Sequence, residues 1–553
     1  MSNIKEIEKD IRERIWNAIE FIQRSDFFIN DEPLEITTSK GTLYVPKVTT
    51  LCVINALVAR GTALLRGGYG GGKTTLVKIL GRMLTGMSLR EIEDSMLRAN
   101  PELTEEKIFA RLHLGKLIQA GEEVVLWRSF SRSFWKIVDE VNRLSPSAQD
   151  ALLSLIGEGR AKYFGHTYEC RDFVLFATLN PRDVGTFELG LPFLDRFGIC
   201  IPVLYPTFDE YVEISEAKDK YLYEETDETI PVFLSKKDLI IAWFLVSRIP
   251  LDDDAQLFIS SLAKDISLCA RAQKELGVFF EMGAVYPCRE CKYNLPDSVC
   301  NKTLTPLSPR AIKDLVRYSK ALAWLLGLEK VELGIVVTLA PYILWHRLFY
   351  PRPILEEFGF DIFAIASKIV ELSFKNFMRR FSVLRTFERF SRGEVGEEAV
   401  LALKESAQGD IVLEEISRLV DKMITYGYSS IARRIFVLIE NKKFDEINEI
   451  LKEIQSLPTD IKYRLLRLLE KLLRRYKKSY VLSYKKLLEI VNNVPQLRIV
   501  AEKVLSNTRL IKERLSNTLI VEIYITSKEE DALCFVDLYG DINGIAKKIE
   551  EYI

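Results

Sequence analysis

The stretch "RGGYGGGKTTLV", residues 66–77, sets a glycine-rich turn, one lysine and two threonines between two apolar runs. Gly67, four further residues and then Gly72, Lys73 and Thr74 satisfy the pattern G-x-x-x-x-G-K-[ST]. Upstream, "TALLRG" (62–67) reads as a buried strand; downstream, "TLVKILGRML" reads as a helix. That strand–loop–helix context is what a phosphate-binding turn needs. Gly67, Gly68, Gly70, Gly71 and Gly72 let the backbone curl until its N–H groups converge on phosphate oxygens. The N-terminus of the helix adds a favourable dipole. Lys73 then reaches the terminal phosphates of ATP, the Thr74 hydroxyl helps hold Mg²⁺, and Thr75 follows in the first helical turn.

Working outward, "FWKIVDE" (134–140), "DFVLFATLN" (172–180) and "GICIPVLY" (198–205) read as further strands, separated by helical segments. The alternation predicts an α/β class, a mostly parallel sheet covered by helices on both faces. Ligands of such sheets bind at the C-terminal edge of the strands. Asp139 and Glu140 end one strand there, and Asn180 ends another. Asp139 suits the magnesium shell, Glu140 the polarising of an attacking water, and Asn180 the orienting of that water. Catalysis of this kind works by position and charge rather than by covalency. Arg196 in "LPFLDRFG" and Arg310 in "LSPRAIKDL" are candidates for the positive group; taken alone, each reads equally well as a surface or salt-bridged arginine.

Composition narrows the classes. The 553 residues carry 77 basic and 78 acidic side chains, net charge −1, which argues against a surface given over wholly to nucleic acid. The start "MSNIKEIEKDIRERIWNAIE" lacks the features of a secretory leader, and no run of 18 uncharged apolar residues predicts a membrane span, so a cytoplasmic protein is expected. Residues 4–24 read as an amphipathic helix, followed by a strand near "GTLYVPKV". The expected division is a lead-in at 1–45, a nucleotide-binding core at 46–206, a helical lid with a Cys-rich insertion at 207–350, a helical C-terminal domain at 351–515 and a small α/β element at 516–553. Within the helical domain, "IKYRLLRLLEKLLRRYKKSY" (461–480) reads as one amphipathic helix with eight basic residues against one glutamate.

Cys269, Cys288, Cys291 and Cys300 lie within 32 residues, with a C-x-x-C pair inside the group. They suit a structural Zn²⁺ held by four thiolates; an iron–sulfur cluster, a disulfide or unrelated buried thiols stay open as alternatives. Cys52, Cys170, Cys200 and Cys534 read as small core residues, and His113, His166 and His346 form no ligand pattern.

Five segments in order resemble the MoxR family of AAA+ ATPases. They are "IVDEVNRLSPSAQDALLSLIGEGR" (137–160), "FVLFATLNP" (173–181), "LPFLDRF" (191–197), "LSPRA" (307–311) and "LAPYILWHRL" (339–348) at the close of the lid. "RAKYFGHTYECRDF" is similar to the hairpin that precedes sensor 1 in that clade, which marks Tyr163, Phe164 and Tyr168 as candidate pore residues. The resemblance implies an AAA+ core with helical lid that hydrolyses ATP to remodel or assemble protein complexes, chaperone-like. It implies a homo-hexameric ring, with von Willebrand factor A domain proteins among the partners. By it, Arg196 acts on a neighbour's ATP, Arg310 on the γ-phosphate of its own subunit, and Arg143 sits near the interface. The "GQ" lead-in of the family is missing before "VTTLCVINALVARG", and residues 351–553 match nothing in it. The alternatives are a nucleic-acid-associated motor like McrB, which the basic helix favours, and a nucleotide-gated assembly switch.

Overall fold

The computed structural model describes residues 2–25, 29–181, 186–216, 226–266, 297–402, 410–506, 508–540 and 544–552. The chain divides near residue 374 into two compact units.

An amphipathic helix, Ser2–Arg24, which belongs to the first unit from Glu8 onward, precedes an antiparallel pair, β1 (Pro33–Thr38) and β2 (Gly41–Pro46). The pair leads into the wholly buried helix Lys47–Ala56. Then come β3 (Thr62–Gly67), β4 (Leu97–Arg98), a hairpin of β5 (Ala110–Leu112) and β6 (Val125–Trp127), and β7 (Trp135–Asp139). A second hairpin, β8 (Arg160–Tyr163) and β9 (His166–Glu169), precedes β10 (Val174–Leu179) and β11 (Ile199–Val203). The central sheet has the order β11-β3-β10-β7-β4, and every neighbour is parallel. Leu64, Leu65, Ile137, Val138 and all of β10 are buried, the continuous apolar run of a strand covered on both faces. Short β4 and the β5–β6 hairpin were not legible in the sequence, because two or three residues show no period.

Helix Lys73–Thr85 covers the sheet. Its Gly81 lets the helix close on β7: a Cβ there would fall 2.8 Å from Trp135 Nε1, which itself donates to Val77 O at 3.0 Å. Helix Pro146–Glu158 starts at an N-cap, Ser145, with proline at N1, and stops at Gly159 in the left-handed region.

The described residues of the lid include the helices Lys236–Ser247, Asp253–Asp265, Pro309–Leu325 and Leu333–Leu344. Polar contacts at the N-terminal end of β3 fasten it to the sheet. Tyr318 Oη donates to Asn55 Oδ1 at 2.7 Å and accepts from Thr62 N at 3.2 Å, and Trp243 Nε1 donates to Ala56 O at 2.7 Å.

The second unit holds helices Ile411–Thr425, Tyr428–Glu440, Ile447–Gln455 and Thr459–Leu473 around a core of Ile435, Ile450, Leu465 and Leu469. After them comes an antiparallel sheet of β12 (Lys477–Ser483), β13 (Leu510–Arg514), β14 (Leu519–Ile525) and β15 (Leu533–Gly540), in the order β12-β15-β14-β13. The expected single helix over 461–480 is therefore corrected. It ends at Leu473, and Lys477–Tyr480 are the first half of β12, paired with Tyr539–Val536 of β15. The partner strand lies more than 50 residues away, so nothing local announced the pairing. The basic residues are also less open than they read. Arg474 pairs with Glu522 at 2.6 Å, Arg475 with Glu440 at 2.7 Å, Lys477 with Asp537 at 3.2 Å and Lys478 with Glu550 at 3.1 Å.

Among the described residues, no helix is long and apolar enough to cross a membrane.

Candidate nucleotide site

The site is built at the C-terminal ends of β3, β7 and β10. β3 runs straight into the glycine turn, where Gly70 (φ +70°) and Gly72 (φ +69°) take the left-handed conformation that glycine adopts without strain. Gly72 is also the N-cap of helix Lys73–Thr85, so the first N–H groups of that helix face the turn.

Lys73 is the centre of the cluster. Only 7% of it is exposed, and its ammonium donates to Gly67 O at 2.9 Å, Gly68 O at 2.5 Å and Asn180 Oδ1 at 2.8 Å. Burial lowers its pKa, against the opposing pull of Asp139 and Glu140. The other amide atom of Asn180, Nδ2, donates to Glu140 Oε1 at 3.1 Å. Asn180 therefore joins the lysine to the acid, and Asn142 Nδ2 fixes its backbone by donating to Asn180 O at 3.0 Å.

A second row lies beside the first. Asp139 Oδ1 accepts from both Thr74 Oγ1 and Thr178 Oγ1 at 2.7 Å, and Glu140 N donates to Thr178 Oγ1 at 2.9 Å. Thr178 escaped the sequence reading, although strand periodicity puts it on the same face as Asn180. Thr75, next on the helix, is half-buried. The Thr74 hydroxyl and Asp139 carboxylate are adjacent hard oxygen ligands, a donor set that fits Mg²⁺.

Glu140 holds a left-handed backbone, φ +54° and ψ +51°, uncommon for a residue with a side chain and typical of sites that impose local strain. Its Oε2 pairs with Arg143 Nε at 3.0 Å. Arg143 thus faces the acid of its own chain.

Arg196 and Arg310 gather elsewhere, around Asp195. Arg310 Nη1 lies 3.5 Å from Asp195 Oδ2, and Ser308, the N-cap of helix Pro309–Leu325, donates to Asp195 Oδ1 at 2.6 Å. Arg347, 4% exposed, approaches the same carboxylate at 3.6 Å and pairs with Asp314 at 2.6 Å. Arg196 Nη1 donates to Pro192 O at 2.6 Å. Burial and the nearby Arg310 both lower the Arg196 pKa.

On the β8–β9 hairpin, Phe164 is exposed at the tip, while Tyr163 and Tyr168 are partly buried and Tyr168 packs on Trp127 at 5.4 Å. Cys52, Cys170, Cys200 and Cys534 are buried. Of the clustered cysteines, Cys300 is buried, and Cys269, Cys288 and Cys291 lie outside the described residues. Among the described residues no group of three His, Cys, Asp or Glu side chains is placed to hold a metal ion. His113 accepts from Lys116 N through Nδ1 at 3.2 Å, His166 is exposed at the start of β9, and His346 lies buried against Phe197 O.

Comparison with known proteins agrees with this geometry. Residues 62–197 match the AAA domain of the dynein-related subfamily. The chain is 28% identical over 214 residues to the uncharacterized protein YeaC of Bacillus subtilis, covering 38% of this chain and 62% of that protein. It is 26% identical over 333 residues to the protein MoxR of Paracoccus denitrificans, covering 59% of this chain and 90% of that one. It is 24% identical over 300 residues to the chaperone MoxR1 of Mycobacterium tuberculosis, covering 53% and 68%. A crystal structure from Cytophaga hutchinsonii, described as that of a candidate ATPase, shares the fold with a TM-score of 0.51 at 20% identity, over 67% of this chain and 97% of that one. A parallel sheet ending in a glycine turn, with Lys73, Asp139, Glu140 and Asn180 at its edge, and these similarities together show a chain that resembles the MoxR-like AAA+ ATPases.

Proposed function

We propose that this chain binds ATP with Mg²⁺ and hydrolyses it to drive the remodelling or assembly of protein partners. The observation that carries the reading is the hydrogen-bonded row from Lys73 through Asn180 to Glu140, set beside the Thr74–Asp139 pair. In this reading Lys73 and the N–H groups of the glycine turn bind the phosphates. Thr74 and Asp139 would hold Mg²⁺, which neutralises phosphate charge when bound. Glu140 accepts the proton of a water that Asn180 orients, and Arg310 senses the terminal phosphate when it leaves Asp195. Arg196 serves the site of a neighbouring copy, which makes a homo-hexameric ring the working form, and proteins with a von Willebrand factor A domain are candidate partners. Glu140→Gln tests the chemistry: ATP binding is expected to persist while turnover falls by about 10²–10⁴. Undiminished turnover would remove Glu140 from the role.

A nucleotide-gated assembly switch is the second reading. It is favoured by the Arg143 contact, since a Glu140 carboxylate held by Arg143 and Asn180 has both oxygens engaged. The mass of Glu140→Gln in solution, with and without ATP and Mg²⁺, measures assembly apart from turnover. A ring that forms on ATP while the wild type shows no turnover would favour the switch.

A further inference from the structure

The glycine turn has a neighbour that no motif marks. Beyond β11 the chain continues past the turn, and the hydroxyl end of the Tyr205 ring packs closely against Gly68. A Cβ at Gly68 would overlap the Tyr205 hydroxyl and ring carbons, so this pairing is what requires glycine at that position. Val203 makes the same demand on Gly67 through its carbonyl oxygen. The backbone of Tyr205 is held in turn: Asn30, 6% exposed, donates Nδ2 to Tyr205 O at 2.8 Å. Tyr205 itself is 59% exposed. Among the described residues its hydroxyl has no hydrogen-bond partner, in contrast to the buried Tyr318.

A phenol fixed by its backbone, resting on a phosphate-binding turn with its donor unclaimed by protein, is a pre-placed ligand group. A phenolic O–H can donate to an anionic oxygen, and such charge-assisted bonds are short and strong. We propose that the Tyr205 hydroxyl donates a hydrogen bond to the phosphate chain of bound nucleotide, making it a binding residue of this site supplied from the strand edge opposite Asp139. The proposal rests on the ATP reading and adds to it a group outside the glycine turn. It also gives the lead-in a function: Asn30 sets where the phenol stands.

The test is displacement of a fluorescent ATP analogue from the full-length protein by ATP, ADP and inorganic tripolyphosphate, comparing wild type with Tyr205→Phe. All three competitors are expected to bind about tenfold more weakly to the variant, the loss of one hydrogen bond to a charged acceptor. Thermal unfolding without nucleotide is expected to be unchanged, because the ring stays in place. Equal affinities would overturn the proposal. A loss for ATP and ADP with none for tripolyphosphate would overturn it as well, placing the contact on ribose or base. Lys73→Ala separates the two levels. If wild type and Lys73→Ala bind alike or not at all, the ATP reading itself falls; if Lys73→Ala alone loses binding, only Tyr205 is dismissed. Gly68→Ala should weaken binding, and adding Tyr205→Ala should recover part of it by removing the overlap.

Discussion

Asn180 donates its side-chain amide to Glu140 Oε1 at 3.1 Å, and that bond decides how the acid at the end of β7 presents its carboxylate. Because the same amide accepts from Lys73 at 2.8 Å, a change in what Lys73 binds is felt at Glu140 through one side chain. Asn180→Ala should therefore cut turnover about a hundredfold while leaving nucleotide affinity within a few fold, as expected for a group that orients rather than holds. Steady-state turnover and equilibrium binding, measured on the same preparation, check the split.

Thr178 carries a similar load from the backbone side. It donates to Asp139 and accepts from Glu140 N, so Thr178→Val leaves a partly buried amide without its acceptor. We expect a loss of about 1–3 kcal/mol in stability and a rise in the Mg²⁺ concentration needed for half-maximal turnover. Thr178→Ser should behave as wild type in both measurements.

The proposal that Arg196 serves a neighbouring copy predicts complementation. Arg196→Ala and Glu140→Gln should each be inactive as pure rings, and mixing them should restore part of the turnover, since some interfaces then pair an intact Glu140 with an intact arginine. A mixture no more active than its components would confine Arg196 to its own chain.

Helix Lys73–Thr85 offers a packing test. Alanine is the better helix former, yet Gly81→Ala would push a methyl to 2.8 Å from Trp135 Nε1 and 2.9 Å from Ile92. Crowding should win, with a net loss of about 1–3 kcal/mol in urea unfolding.

Lys136 sets a pH dependence. It sits on β7 with no exposure, donating to Phe130 O and, at 3.0 Å, to Ser131 O, and burial pushes its pKa down to about 8. An unfolded lysine keeps its proton to about 10.4. Between those values the unfolded chain binds more protons than the native one, so this residue makes stability rise with pH from about 8 to about 10. Unfolding by urea at several pH values should show that rise in the wild type and its loss in Lys136→Met.

The phosphate turn, the acids after β7, Asn180 and the parallel class were legible because each rests on local pattern. Glycines at fixed offsets, a buried apolar run and a helix start are decided within about ten residues. The long antiparallel sheet of the second unit was legible only in part. β14 and β15 announce themselves as short apolar runs, but β12 hid at the end of a leucine-rich helix. Its pairing with β15 is a contact between distant segments, and Lys477 and Lys478 read as a continuation of the basic face.

The sequence by itself determined that a glycine turn follows a strand, and that Lys73, Asp139, Glu140 and Asn180 stand at one sheet edge. Only the tertiary structure decided that Thr178 joins Asp139 to Glu140, that Arg310 rests on Asp195, and that Tyr205 lies on Gly68. The reason is physical: a strand's exit point follows from short-range propensity and burial. Which side chains meet there depends on the order in which strands are laid side by side, and that order is set by packing across the whole unit.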